Sequence, residues 1–492
     1  MSRTPRQLRR RRERTLSPAT NFPNSADLSA ILPATIVALT ALVALFFDLL
    51  VPAVTRRILA VTVGAIGLIA AGIVLWLQYK VQYAAFDGAF LQGGFSTVFA
   101  EIIIIATLAT LTMGLGVGRD DQVAGSTALI LWSAAGAMLM TGAGNLMTIF
   151  LGLELLSLGL YCLCAISLRA TAREAALKYL ILSSMASGFL LFGMALLFGA
   201  SGSVALSALV ATKPSLLLLL GSGLFLVGIA FKLSLVPFHV WTPDVYEGAP
   251  LSVTAFMSVV TKAGTLAVLG RFAYAALPPG SANAILIPLW TIAALSMLVG
   301  NLGALAQTDM KRLLAYSGIA QVGYIVAAFA GQTVIGVRYA IFYLAAYTFM
   351  NLGAFAVVQL MSRDGDAVVG VARFAGLAYR RPWLAALMTF FLLGLAGLPP
   401  TAGFTGKILI LASTVGAGYA WLGGVLILGT AISIYVYFKI VRAMFVRVDP
   451  AHVRDERSTN AMPWVTIAVC AVAVFVLGLY PFTPSNVLPL VR

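Results

Sequence analysis

The segment FKLSLVPFHVWTPDVYEGAP, residues 231–250, closes one apolar run and opens the next. Its Lys232 follows LLLLLGSGLFLVGIA, so an ammonium group is set where the surrounding composition marks hydrocarbon. Such a charge is costly unless partners, water or proton loss relieve it. Working outward, the 492 residues are 61% hydrophobic and only 10% charged. A mean hydropathy of +0.98 lies far outside the range of soluble domains. One span needs about 20 mainly apolar residues, so this length holds a dozen or more. Runs such as EIIIIATLATLTMGLGV and ALMTFFLLGLAGL are continuously apolar and lack the period-two alternation of barrel strands. The expectation is an all-α polytopic membrane protein.

About fourteen spans are expected, near residues 28–50, 58–77, 96–117, 123–141, 145–168, 174–198, 216–237, 251–275, 284–305, 313–330, 337–361, 383–415, 421–445 and 463–479. Residues 1–27 are basic and Pro-containing and read as a disordered tail, with 28–492 as a single membrane domain. Loops after odd-numbered spans hold Arg56, Arg57, Arg119, Arg169, Arg173, Lys311, Arg312, Arg363, Arg373, Arg380, Arg381, Arg442, Arg447, Arg454 and Arg457. Those after even-numbered spans hold only Lys80, Lys213, Arg271 and Arg338. The positive-inside rule then puts odd-following loops in the cytoplasm and both termini outside. The tail residues Arg9 to Arg12 prefer the opposite side; either well-anchored spans overrule them, or a misassigned start adds them. The net charge of +15 therefore reads as a topology signal, and no nucleic-acid partner is expected.

Prolines interrupt spans seven and twelve, at Pro237 and at Pro399 with Pro400 in GLPPTAGFTGK. Broken helices persist in membranes where their backbone is buried in protein or lines a polar cavity. Spans five apart run in opposite directions, so a five-span unit used twice would be an inverted repeat. The expected plan is residues 28–118 as three leading spans, 123–275 and 284–445 as the two repeats, and 463–492 as a last span with the C-terminus. Pro-kinked helices that serve packing alone are the plainer alternative.

Four of the eight lysines, Lys178, Lys232, Lys262 and Lys407, fall within expected spans. Left unpaired, they would cost roughly 10–14 kcal/mol on insertion scales. Glu154, in NLMTIFLGLELLSLGLY, is the carboxylate nearest a span centre. Moving it relative to Lys232 would shift that lysine between holding and releasing a proton. A static pair that fixes helix packing is the other reading of those two residues. Asp48 and Glu101 lie towards span ends and suit interfacial or subunit contacts. His239, beside the break, could carry a proton or cap a helix, and His452 sits in a charged loop. Cys162, Cys164 and Cys470 lie in apolar runs without metal or disulfide spacing, and no nucleotide or haem motif is present. No cofactor or metal is expected, so the energy for transport must come from an ion gradient or from another subunit.

The motifs GLELLSLGLYCL, REAALKYLILSS, FKLSLVPFHVWTPDVYEGAP, TKAG, DMKRLLAYSGIAQVGY and GLPPTAGFTGK together resemble the antiporter-like membrane subunits of respiratory complex I. PDVYEGAP, Lys407 and the absence of room for a long lateral helix resemble the N-type branch. The resemblance implies two inverted five-helix repeats, each with a half-channel. It also implies Glu154 as modulator of Lys232, Lys232 as central switch, Lys262 as connecting carrier and Lys407 as exit-side carrier. Lys178 would be an input relay or a secondary partner of Glu154. The implied partners are other membrane subunits of complex I, including a neighbouring antiporter-like subunit and small subunits, in a bacterial inner membrane. A subunit of a cation/proton antiporter or membrane hydrogenase, and an inert scaffold, are the competing functions.

Overall fold

The computed structural model describes residues 23–114, 122–278, 282–362, 369–447 and 462–482. The tail through residue 22, and with it Arg119, Arg363, His452, Arg454 and Arg457, lies outside the described residues. Among the described residues two long helices come first, α1 (Ser25–Leu50) and α2 (Ala53–Leu77), followed by a hairpin of β1 (Tyr83–Ala85) and β2 (Phe90–Gln92). Next come α3 (Gly94–Gly114), α4 (Val123–Gly142), α5 (Leu146–Ala165) and α6 (Ala170–Ser201). A short α7 (Leu206–Val210) leads to α8 (Leu216–Leu233), α9 (Trp241–Gly248) and α10 (Leu251–Arg271), whose end continues as one π turn to Ala276. The remainder is α11 (Ala282–Leu305), α12 (Met310–Ala327), α13 (Val334–Met361), α14 (Leu377–Arg380), α15 (Pro382–Ala396), α16 (Ala402–Gly416), α17 (Ala420–Phe445) and α18 (Met462–Leu479). Among the described residues twelve helices are long and apolar enough to cross a membrane, and α15 and α16 are shorter apolar helices.

Large apolar side chains such as Leu49, Trp76, Leu217, Tyr435 and Phe438 point outward, as a surface bathed in hydrocarbon requires. Every residue of α10 except partly covered Ser252 is buried, so this helix is the axis of the bundle. Lipid tails are as apolar as leucine, so close backbone approach drives association between helices. Gly136 of α4 and Gly152 of α5 show it: a Cβ on Gly136 would lie 2.6 Å from the Leu156 nitrogen, and one on Gly152 would lie 2.8 Å from the Gly136 oxygen.

Several features recur along the chain. Asn145 caps α5 by accepting from the Thr148 N–H, and Asp309 caps α12 by accepting from the Arg312 N–H. Each cap also forms an antiparallel bridge with the chain after the following helix, to Ala205 and Gly370 respectively. The helix ends of α8 and α15 match too. Ser234 (φ 60°) and Gly397 (φ 84°) are both left-handed caps. The next residues close the same loop, Leu235 N–H to the Ala230 carbonyl and Leu398 N–H to the Leu393 carbonyl. Cis peptides follow at Val236–Pro237 and Pro399–Pro400. A left-handed non-glycine residue costs roughly 1–2 kcal/mol. At Ser234 the Thr242 hydroxyl, donating to its Oγ, offsets part of that cost.

Gly397 has two reasons to lack a side chain, its φ and a Lys407 Cδ only 2.7 Å from where a Cβ would stand. Gly397→Ala should therefore destabilise the folded chain by about 1–3 kcal/mol, read as a lower unfolding midpoint in detergent. Gly424→Ala, where a Cβ meets nothing within 4 Å, should leave the midpoint unchanged or slightly higher. Equal midpoints for the two variants would refute the account of the break.

Candidate functional site

Lys232 sits in the last turn of α8, 2% exposed. Its ammonium donates to the Ser157 hydroxyl of α5 at 2.8 Å and to the Ser183 hydroxyl of α6 at 2.6 Å. It also lies over the rings of Tyr161 and Tyr179, 5.8 and 5.3 Å from their centroids. Tyr161 donates to Ser183, which fixes the cage. Glu154 is half-buried, and its carboxylate accepts from Ser187 at 2.6 Å. Among the described residues no ion pair joins Glu154 to Lys232, so the anticipated direct pair is replaced by a serine-lined approach. Helical spacing is the reason: Ser157 lies three residues beyond Glu154 on α5, and Ser183 and Ser187 are four apart on α6.

The chain turns at the break and returns as α9. Trp241, at its start, donates to the Phe231 carbonyl and stacks on both Tyr179 and Phe231. Tyr246, one turn on, accepts from the Lys262 ammonium at 3.0 Å. Lys262 stands midway along α10 and is 1% exposed. Thus α9 touches the cage of Lys232 with one aromatic residue and solvates Lys262 with another.

Lys407, on α16, is 4% exposed and donates to the Leu395 and Ala396 carbonyls at 3.1 and 2.9 Å. These carbonyls end α15, so the break that frees them also supplies the lysine's solvation. The Tyr324 ring lies beneath the ammonium at 4.7 Å. Gln321 of α12 donates to the same Leu395 carbonyl and accepts from the Tyr343 hydroxyl. One turn earlier, Ser317 is hydrogen-bonded to Tyr437. Polar side chains of α12 therefore join α13, α15 and α17, and its Tyr324 meets Lys407. Sequence reasoning passed over Gln321, although it stands in the quoted run AYSGIAQVGY.

Other expectations need correction. Lys178 is not in the buried row: it is substantially exposed and ion-paired with Glu174 at 2.8 Å and Asp244 at 3.1 Å. It falls near the start of α6, where a long apolar window hides a helix end. Lys311, read as a loop residue, is 0% exposed and donates to the Ala249 carbonyl at 3.0 Å. Arg271 was likewise assigned to a loop, yet it ends α10 fully buried. Its guanidinium donates to the Thr141 and Leu91 carbonyls and covers Phe95, tying α10 to α4 and to the hairpin. Glu101 lies well inside α3 rather than at a span end, beside an apolar cavity of about 170 Å³ between α3, α13 and α18. Asp48 contacts Arg56 at 3.7 Å. His239 packs against Tyr316. Burial alone would raise the pKa of Asp244 on α9, but hydrogen bonds from Arg312 and Lys178 hold its carboxyl below the ordinary range.

These features define a polytopic helical membrane protein with lysines buried at and between two broken helices. Residues 143–433 match the family described as NADH:quinone oxidoreductase/Mrp antiporter, transmembrane. The chain belongs to that family. It is 42% identical over 421 residues to NADH-quinone oxidoreductase subunit N 1 of Symbiobacterium thermophilum, covering 82% of this chain and 85% of the relative. It is 37% identical over 464 residues to NADH-quinone oxidoreductase subunit N of Trichlorobacter lovleyi, covering 92% and 95%. A chain of respiratory complex I from Thermus thermophilus with bound aureothin matches at TM-score 0.79 and 34% identity, covering 91% of this chain and 97% of that one.

Gln321→Leu keeps the volume but leaves the buried Tyr343 hydroxyl without its acceptor. It should lower folded stability by about 1–3 kcal/mol, measured as a drop in the unfolding midpoint. An unchanged midpoint would show that this network does not hold α12 against α13 and α15.

Proposed function

We propose that this chain is the N-type proton-translocating membrane subunit of an NADH:quinone oxidoreductase, driven by redox chemistry in other subunits and holding no redox centre itself. One observation carries the reading. Lys232, Lys262 and Lys407 are all buried, and among the described residues each donates only to neutral groups: two serines, one tyrosine, two carbonyls. A carboxylate at contact distance would hold each lysine in its charged form, because an opposite charge within a few ångströms favours that form. Neutral acceptors leave both charge states accessible, as a carrier requires. Moving one proton against 100 mV costs about 2.3 kcal/mol, within reach of a coupled conformational change.

In this reading Lys232 is the switch, Glu154 modulates it through the serine-lined approach, Lys262 connects and Lys407 serves the exit side. Lys178 belongs to the entrance face. The matching caps and breaks support residues 123–275 and 284–445 as inverted repeats, with Lys232 and Lys407 each at one break. The chain sits in a bacterial inner membrane beside another antiporter-like subunit and small membrane subunits. Its arginine-rich loops face the cytoplasm, and its termini face outward. Curated relatives named as subunit N favour this reading over a cation/proton antiporter or membrane hydrogenase.

Lys232→Ala in the assembled complex should lower protons moved per NADH, and coupled NADH:quinone activity, by at least about fivefold. Proton uptake by sealed vesicles, with assembly checked on native gels, reads this out. Full pumping by an assembled Lys232→Ala complex would sink the proposal, and full pumping after neutralising Lys232 and Lys407 together would favour an inert scaffold.

A further inference from the structure

Helix α9, the WTPDVYEG portion of the opening segment, is only eight residues long. A helix this short is not stable alone, so its surroundings must fix its position. Its inner side carries Trp241, against the Lys232 cage, and Tyr246, bonded to Lys262. Its outer side carries two acids, and both are held by one guanidinium. The Arg312 Nη1 donates to Asp244 Oδ1 at 2.7 Å and to Glu247 Oε2 at 2.8 Å. The Arg312 Nε donates to Gln307, which fixes the plane of the group. Its neighbour Lys311 donates to the Ala249 carbonyl at the C-cap of α9. The first turn of α12 therefore grips α9 along its outer side and at its end, while Lys178 holds only the second oxygen of Asp244.

We infer that Arg312 is a positioning residue for proton transfer between Lys232 and Lys262, acting through α9. It lies on α12, whereas Lys232 and Lys262 lie on α8 and α10. A shift of α12 against α10 would pass through the Arg312 guanidinium to α9. It would change the placement of Trp241 over the Lys232 cage and of Tyr246 against Lys262 together. One nitrogen, Nη1, meets both carboxylates while Nε is held by Gln307; an ammonium could reach the two oxygens but would lack the separate Nε donor that anchors the group to Gln307. The inference rests on the proposed proton-translocating function.

The test compares Arg312→Gln, Arg312→Lys and Lys262→Met in the assembled complex, scored as protons taken up per NADH oxidised in sealed vesicles. Arg312→Gln should lower that ratio roughly two- to thirtyfold, with Arg312→Lys intermediate. A purely structural Arg312 would reduce the amount of complex but not the ratio. A parental ratio for Arg312→Gln alongside a fallen ratio for Lys262→Met overturns the inference and leaves the function standing. Parental ratios for both overturn the function itself. If Arg312→Gln does not assemble, Asp244→Asn with Glu247→Gln removes the same grip from the other side, and a parental ratio for that double variant also overturns the inference.

Discussion

An ammonium group buried among hydrocarbon side chains must be solvated by the protein, and most of this architecture answers that requirement. Three lysines meet it in three ways. Lys232 uses two hydroxyls and the faces of two tyrosines, Lys262 a phenol, and Lys407 the free carbonyls at a helix end. None of these acceptors carries a formal charge. The ammonium is therefore accommodated without being trapped, which a carboxylate at contact distance would do.

The broken helices serve that solvation and shape the bundle. Interrupting α15 frees carbonyls that a continuous helix would consume, and Lys407 takes two of them. Interrupting α8 turns the chain so that α9 can place Trp241 against Tyr179 of the Lys232 cage and Tyr246 on Lys262. Because α9 is short, its charged outer side must be held from α6 and α12. The acidic letters of PDVYEG thus belong to the positioning of the buried row, although they lie outside it.

Much of the site was legible in the chain. Lys232, Lys262 and Lys407 stand in apolar runs too long to be anything but buried, and prolines mark both breaks. The errors have one origin: hydropathy averages over a window and does not say where within a helix a charge lies. Lys178 looked buried because the apolar run continues beyond it, whereas its true surroundings are Glu174 and Asp244. Arg271 and Lys311 looked exposed because they adjoin loops, yet folding covers both. Glu101 reads as near a span end because it stands close to the start of the expected span 96–117, whereas the helix it belongs to starts earlier, at Gly94. Gln321 gave no signal, since a lone glutamine in an apolar run reads equally as packing.

Composition and periodicity by themselves determined that this chain is a helical membrane protein, roughly where it crosses, and which lysines carry an energetic burden. Those properties are sums over local residues, and the chain order contains them. What solvates each ammonium was decided only by tertiary structure. The serines that replace a direct Glu154 contact come from α5 and α6, and the carbonyls around Lys407 come from a neighbouring helix end. The grip of Arg312 on α9 joins residues more than sixty positions apart. Such contacts depend on how helices meet across the bundle, and no window along the sequence records that.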